Sequence, residues 1–561
     1  MVPANNNPHP SRRAFLRTTG TVGLGLLAGC TLRNRFDLII TGGTIYDGLG
    51  NPPVQKDVGV RNGRISAIGD LRDATAERTI QASGLVLSPG FIDIHTHTDV
   101  ELLVNPKAES KIRQGVTTEV SGNCGSSPFP LNPEDSAEIR RRMKEKYGIE
   151  YAWSDLEGFF GLFRQKGLAI NYATFTGHGD LRAFVVGKND VQPTPEQLTE
   201  MGRILADTLE QGSLGLSTGL EYAPGSYART GELIELNKTV SALNGVYATH
   251  MRNEDDRVEE AMEEALTICR ESGVSLQISH LKACNRGNWY KTERLLSRLK
   301  EAGERYPVQA DRYPYTAYST GLSAFLPLWS RQGETEEILA RLKSDAEVER
   351  IREYTEDRGR RIGGWDRVII SSCNSEANSG CEGKSIRECA REAGKGPFEF
   401  IRELLIEEKT RVSIVGFAME EENLKNVLAH PLVSVGSDGN AVAPYGLLNQ
   451  GKPHPRFYGT FPRVLGKYVR EEKVLNLTEA IRKMTSMPAA KLGLRDRGVI
   501  AEGKIADLVL FDPDKVQDQA TFTNPHQYPL GVKSVIVNGA LTLDKGRQTG
   551  VLNGQILLHR V

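Results

Sequence analysis

From residue 89 to residue 490, short apolar runs alternate with helical stretches. Candidate strands lie at 91–97, 116–123, 170–177, 213–218, 246–250, 274–280, 307–313, 412–417 and 432–437, with helical stretches at 196–210, 255–271, 291–302 and 419–429. Strand–helix alternation of this length builds a parallel sheet covered by helices. The expected architecture is an α/β fold, a (β/α)8 TIM-like barrel, in which functional groups collect at the carboxyl ends of the strands. Nine candidates compete for eight places, and 412–417 is the expected spare or part of an insertion. The segment 320–410 is long, charged and irregular, and reads as a lid or small inserted subdomain.

The two ends of the chain have a different texture. Residues 36–88 hold short apolar runs broken by turn signals, among them Asn62-Gly63 between two alternating runs, a strong hairpin signal. Residues 506–511 and 532–539 repeat that texture. A small β-sandwich assembled from 30–88 and 491–561 is expected, with the barrel occupying 89–490.

Residues 1–29 read as a targeting segment. Ser11-Arg12-Arg13-Ala14-Phe15-Leu16-Arg17 is a twin-arginine export pattern, and Val22–Ala28 is apolar but too short to span a bilayer. Leu27-Ala28-Gly29-Cys30 resembles a lipobox, which makes Cys30 the expected lipidation site. The expected location is periplasmic or cell-envelope, with membrane contact only through that anchor. A formal net charge of −1 argues against a nucleic-acid partner. Seven scattered cysteines give no disulfide framework.

The chemistry is concentrated in six residues. His95 and His97 form an i, i+2 pair in Phe91-Ile92-Asp93-Ile94-His95-Thr96-His97, which on a strand would share one face. Cys124, His250, His280 and Asp438 close four further candidate strands. All six are metal donors at equivalent places on separate strands, and mixed thiolate and imidazole ligands favour zinc. A tight zinc on Cys124, His250 and His280 is expected, with His95, His97 and Asp438 facing the same cavity and holding a second, weaker ion or shaping the site.

At this point the chain resembles the N-acyl-D-amino-acid deacylases (D-aminoacylases) of the amidohydrolase superfamily. The resemblance covers about 36–561 and rests on FIDIHTHTD (91–99), TTEVSGNCG (117–125), ATHMRNE (248–254), ISHLK (278–282), DRYPYTAYST (311–320), VGSDG (435–439) and HPRFYGTFPRVLG (454–466). It implies a small-molecule N-acyl amino acid substrate, zinc ligation by Cys124, His250 and His280, and a catalytic carboxylate at Asp438. It further implies that Arg456 holds the substrate carboxylate, with Lys282, Tyr313 and Ser319 lining the same pocket. Many amidohydrolases bridge their metals with a carboxylated lysine, and in this family a cysteine, here Cys124, takes that place.

Elementary chemistry supports those roles. A carboxylate can move a proton from water to a leaving amine, and a guanidinium fork matches a carboxylate. His178 ends another apparent strand and stands as a candidate substrate or oxyanion contact, or as a structural residue. Asp99 is a candidate for orienting a histidine. Cys269, Cys284, Cys373, Cys381 and Cys389 read as buried or incidental thiols. The loop 439–453 is longer than in the best-known family members and bears on side-chain preference and D-stereochemistry. Two alternatives are a cyclic-amide hydrolase of the hydantoinase or dihydroorotase kind, which usually presents lysine where Cys124 stands, and a non-catalytic exported binding lipoprotein.

Overall fold

The computed structural model describes Met1 and residues 35–560. The leader pattern and Cys30 lie outside the described residues. Among those described, no helix is long and apolar enough to cross a membrane.

Eight parallel strands form the centre: β1 (Phe91–Asp93), β2 (Val116–Ser121), β3 (Asn171–Thr174), β4 (Gly215–Gly219), β5 (Val246–His250), β6 (Ser275–Ile278), β7 (Val308–Arg312) and β8 (Val433–Val435). Pairing runs β1–β2–β3 and β4–β5–β6–β7–β8. The two sets meet where Thr176–Gly177, just past β3, pairs with β4. They meet again at a parallel bridge between Thr96 and Gly439, which joins the end of β1 to the end of β8. Buried Lys111 reinforces this second seam. Its ammonium donates to Asp93 Oδ2 at 2.8 Å, Ser437 Oγ at 2.8 Å and Gly439 O at 3.1 Å. A buried ammonium needs this many partners to offset its desolvation.

The helices cover the outside of the ring for ordinary reasons. Pro195–Glu210 begins at a Thr194–Gln197 capping box with proline in its first turn. It buries Met201, Ile204, Leu205 and Leu209, at helical spacing, against the strand layer.

The spare candidate, 412–417, lies outside the ring. Ser413–Gly416 pairs antiparallel with Tyr318–Gly321 and with Val368–Ser372. The segment around this small sheet carries four helices and its own apolar core, including Phe325, Trp365, Ile370, Phe398 and Ile414. At the chain ends, one sheet comes from residues 35–81. The other interleaves 44–55 and 86–89 with 508–548. Leu38, Val60, Leu87, Leu508 and Ile536 share one core between the sheets. Arg61 faces Arg64 across the two-residue Asn62-Gly63 turn, both of whose residues have positive φ, as such a hairpin requires.

Candidate active site

β1 ends at Asp93, so His95 and His97 stand beyond it in irregular backbone. Strand pleating therefore does not bring them together. The bridge to Gly439 does, and the two rings lie 5.5 Å apart. Cys124 follows β2 by three residues, His250 is the last residue of β5, His280 follows β6 by two, and Asp438 follows β8 by three. Cys124, His280 and Asp438 all have left-handed backbone, with φ of 52°, 36° and 51°. A non-glycine residue there costs on the order of 1 kcal/mol or more and persists only where its surroundings enforce it. The same sharp turn recurs on three separate strand ends around one point. Gly219 makes room for it, since a Cβ there would lie 2.0 Å from Cys124 O.

The donor atoms converge. Cys124 Sγ lies 3.4 Å from His95 Nε2 and 3.5 Å from His280 Nε2, and His280 Nε2 lies 3.1 Å from His250 Nδ1. His97 Nε2 is 3.0 Å and His95 Nε2 3.6 Å from Asp438 Oδ1. His95, Cys124 and His280 form one set of donors whose atoms lie within 4.8 Å of one another. His95, His97 and Asp438 form a second such set, and His250, Glu254 and His280 a third. Zinc–nitrogen and zinc–sulfur bonds in a tetrahedron place ligand atoms ~3.3–3.6 Å apart. The two sulfur–nitrogen distances meet that requirement.

Charge favours a cation here. Burial alone would raise the Cys124 thiol, but His95, His250 and His280 hold it well below its ordinary range. Burial disfavours charged imidazoles, yet Asp438 and Cys124 raise His97 to about 9, and Glu254, Cys124 and Glu221 raise His250 to about 10. The cluster thus favours negative charge on Cys124 and Asp438 and positive charge at the rings beside them. A bound metal ion would supply positive charge in place of ring protons.

Asp438 also lies 2.9 Å from Arg456 Nη1. That contact does not have hydrogen-bonding geometry, and among the described residues buried Arg456 Nε and Nη1 have no hydrogen-bond acceptor. Tyr313 packs its ring against Arg456 and Arg312, with centroid distances of 4.8 and 4.2 Å, and its buried hydroxyl has no hydrogen-bond partner among the described residues. Ser319 sits on the strand Tyr318–Gly321 at the rim. These groups line one cavity of about 470 Å³ with His97, Cys124, His250 and His280. Lys282 lines it too, but its ammonium is 2.5 Å from Glu254 Oε1 and 2.8 Å from His280 Nδ1, so it is engaged with the wall.

His178 takes the structural place left open for it, and Asp99 makes no hydrogen bond to a histidine side chain among the described residues. His178 opens the helix His178–Val185, where it is fully buried and 2.8 Å from Glu232 Oε1. Asp99 accepts the Gly122 amide at 3.2 Å, and burial raises its carboxyl to about 7. The carboxylate that grips His95 is Asp311. Its Oδ1 lies 3.1 Å from His95 Nδ1 and accepts the His280 amide at 2.9 Å, while Oδ2 accepts Gln277 Nε2. With Nδ1 so occupied, Nε2 of His95 is left to face Cys124. Glu254, beside His280 and Lys282, and Glu221, beside His250, were likewise missed. Asp311 and Glu254 lie inside the DRYPYTAYST and ATHMRNE segments, so their position close to strand ends was the available signal.

The amidohydrolase family model (Amidohydro_3) matches residues 78–270 and 337–543. The chain is 37% identical over 525 residues to the D-aminoacylase of Alcaligenes xylosoxydans xylosoxydans, covering 93% of this chain and 97% of that one. The chain belongs to the N-acyl-D-amino-acid deacylases of the amidohydrolase family. The family's N-acyl-D-glutamate deacylase from the same organism is 36% identical over 511 residues, 91% of this chain and 94% of that one. The crystal structure of N-acyl-D-glutamate deacylase from Bordetella bronchiseptica, complexed with zinc and a phosphonate mimic of the tetrahedral intermediate, superposes with a TM-score of 0.78 at 34% identity. That match covers 93% of this chain and all of the other. Family membership thus comes with the whole fold, sandwich and barrel together.

Proposed function

We propose that this protein is a zinc-dependent hydrolase that cleaves the amide bond of N-acyl-D-amino acids to a carboxylate and a free D-amino acid. The observation that carries this reading is Asp438, poised between the Cys124–histidine cluster on one side and the Arg456 guanidinium, 2.9 Å away, on the other. Cys124, His250 and His280 would hold a tight zinc, and His95, His97 and Asp438 would hold a second, weaker ion or only shape the site. Bound zinc supplies Lewis acidity and water that ionises near neutral pH. Asp438 would accept a proton from water as the water oxygen bonds to the amide carbon, and would return that proton to the nitrogen as the carbon–nitrogen bond breaks, because an amine leaves poorly unless protonated. Burial would raise the Asp438 carboxyl, but Arg456 and His97 hold it well below the usual range, so it begins as a base. Arg456, with two buried donor atoms lacking acceptors, receives the substrate's α-carboxylate. Tyr313 stacks beneath that guanidinium and Ser319 closes its rim. Lys282 bears on substrate from the wall, where Glu254 fixes it.

The test is a screen of N-acetyl-D- and N-acetyl-L-amino acids with the zinc-loaded protein, with metal content measured alongside. Turnover restricted to D-substrates, with about one firmly held zinc per chain, is expected. Turnover of cyclic amides alone would instead favour the hydantoinase-like reading.

Residues 1–29 are read as a twin-arginine leader and Cys30 as a lipid anchor, which would place the enzyme in the cell envelope. Mass spectrometry of the mature amino terminus tests this, and an unmodified Cys30 in the exported protein would refute the anchor.

A further inference from the structure

Three cationic side chains line the active-site cavity, Lys282, Arg358 and Arg456. Lys282 is held by Glu254 and His280, and Arg456 stands against Asp438. Arg358 is different. It projects from the helix Val348–Arg361 of the inserted segment and is half-buried in the cavity wall. Among the described residues it donates no hydrogen bond and has no carboxylate within ion-pair distance. The contact it makes is with the ring of Phe325, whose centroid is 5.8 Å from the guanidinium carbon.

The nearest acids, Glu221 and Asp255, favour the Arg358 charge from beyond ion-pair distance, and both are engaged elsewhere. Glu221 Oε1 accepts the Glu254 amide at 3.2 Å and its Oε2 faces His250 Nε2 at 3.8 Å. Asp255 accepts from Asn253 Nδ2 at 2.7 Å and lies 3.7 Å from Arg361. A guanidinium carries five donors and stays charged at any working pH. Left without acceptors on a cavity wall, those donors serve what enters the cavity, and charge-assisted pairs with carboxylates are the strong ones.

Resting on the deacylase reading, we infer that Arg358 selects substrates bearing a second carboxylate, in addition to the α-carboxylate held by Arg456. Phe325 and Tyr318 supply an apolar wall beside Arg358, against which a short methylene chain ending in that carboxylate would lie. The near-equal similarity to a D-aminoacylase and to an N-acyl-D-glutamate deacylase does not choose between neutral and acidic substrates. A cavity-lining guanidinium with no hydrogen-bond acceptor among the described residues does.

The second carboxylate can sit on the amino-acid side chain or on the acyl group, and matched pairs separate the two sources. N-acetyl-D-glutamate against N-acetyl-D-glutamine tests the side chain. N-succinyl-D-methionine against N-butanoyl-D-methionine tests the acyl group. In the zinc-loaded wild type, one pair should favour its acid by about 10–100-fold in kcat/KM. Arg358→Met, checked for unchanged zinc content and circular dichroism, should bring that ratio to within about 3-fold of unity. Arg358→Lys should restore part of it. Neutral and acidic members turning over equally in the wild type would overturn the inference and leave the deacylase reading intact. So would a preference that survives Arg358→Met. No turnover of any D-substrate would instead remove the deacylase reading and this inference with it.

Discussion

Asp311 Oδ1 lies 3.1 Å from His95 Nδ1, and the same oxygen accepts the backbone amide of His280 at 2.9 Å. One carboxylate from β7 therefore fixes a ring beyond β1 and a left-handed backbone turn beyond β6. Partners of this kind orient metal-ligating histidines and commonly change metal affinity by about 10–100-fold when lost. Asp311→Asn keeps the shape and removes the charge. A loss of zinc affinity of that size is expected by competition with a chromophoric chelator, and wild-type affinity would show that Asp311 only packs.

Cys124 and Asp438 should separate metal binding from turnover. Cys124→Ala leaves His280 without its sulfur neighbour at 3.5 Å and should abolish firmly bound zinc. Asp438→Asn should retain the tight zinc while kcat falls by about 10²–10⁴-fold. Full zinc in the first variant, or near-normal turnover in the second, would refute the assigned roles.

Gly219 is a packing requirement that reaches the chemistry. A methyl group there would sit 2.0 Å from the backbone oxygen of Cys124, which no side-chain rotation can relieve, so one of the two segments must move. Gly219→Ala is expected to destabilise the fold by about 1–3 kcal/mol and to weaken zinc binding, read from urea midpoints and metal content. Unchanged values in both would mean the turn carrying Cys124 is free to shift.

At the opposite end of the barrel, Lys491 donates to Pro307 O at 2.8 Å and Ser275 Oγ at 2.9 Å, and burial lowers its ammonium to about 7. The folded-state value lies below the unfolded one near 10.4, so between those pH values the unfolded chain binds the extra proton. Stability contributed by this group therefore rises as pH increases from about 7 toward 10. Each pH unit in that window is worth at most ~1.4 kcal/mol for one group. Lys491→Met should flatten the pH dependence of the urea midpoint between pH 7 and 9. An identical slope in wild type and variant would place this group outside the titration.

The barrel and its donors were largely legible because each rests on a local signal. Apolar runs with helical stretches between them located all eight strands, and residues at or just after those runs included every member of the three donor sets except Glu254. His95 and His97 come together for a reason other than the shared strand face their spacing predicts: the strand stops at Asp93, and closure against Gly439 brings the rings together. The strand 413–416 carried the same apolar signal as a barrel strand and pairs elsewhere, since a run of four residues does not encode its partner.

Asp99 shows where local reading ended. It follows the histidine pair in sequence, but its oxygen is taken by Gly122, and the carboxylate that grips His95 comes from a position 216 residues away. Arg358 carries no motif and reaches the cavity only because the inserted segment folds over it.

The sequence by itself determined which chemical groups stand at strand ends, because strand periodicity and residue type are properties of short stretches of chain. The tertiary structure alone decided which of those groups touch, which lysine is already paired and which arginine is not. Distances between side chains remote in sequence depend on how the ring of strands closes and how the insertion packs, and on no single segment.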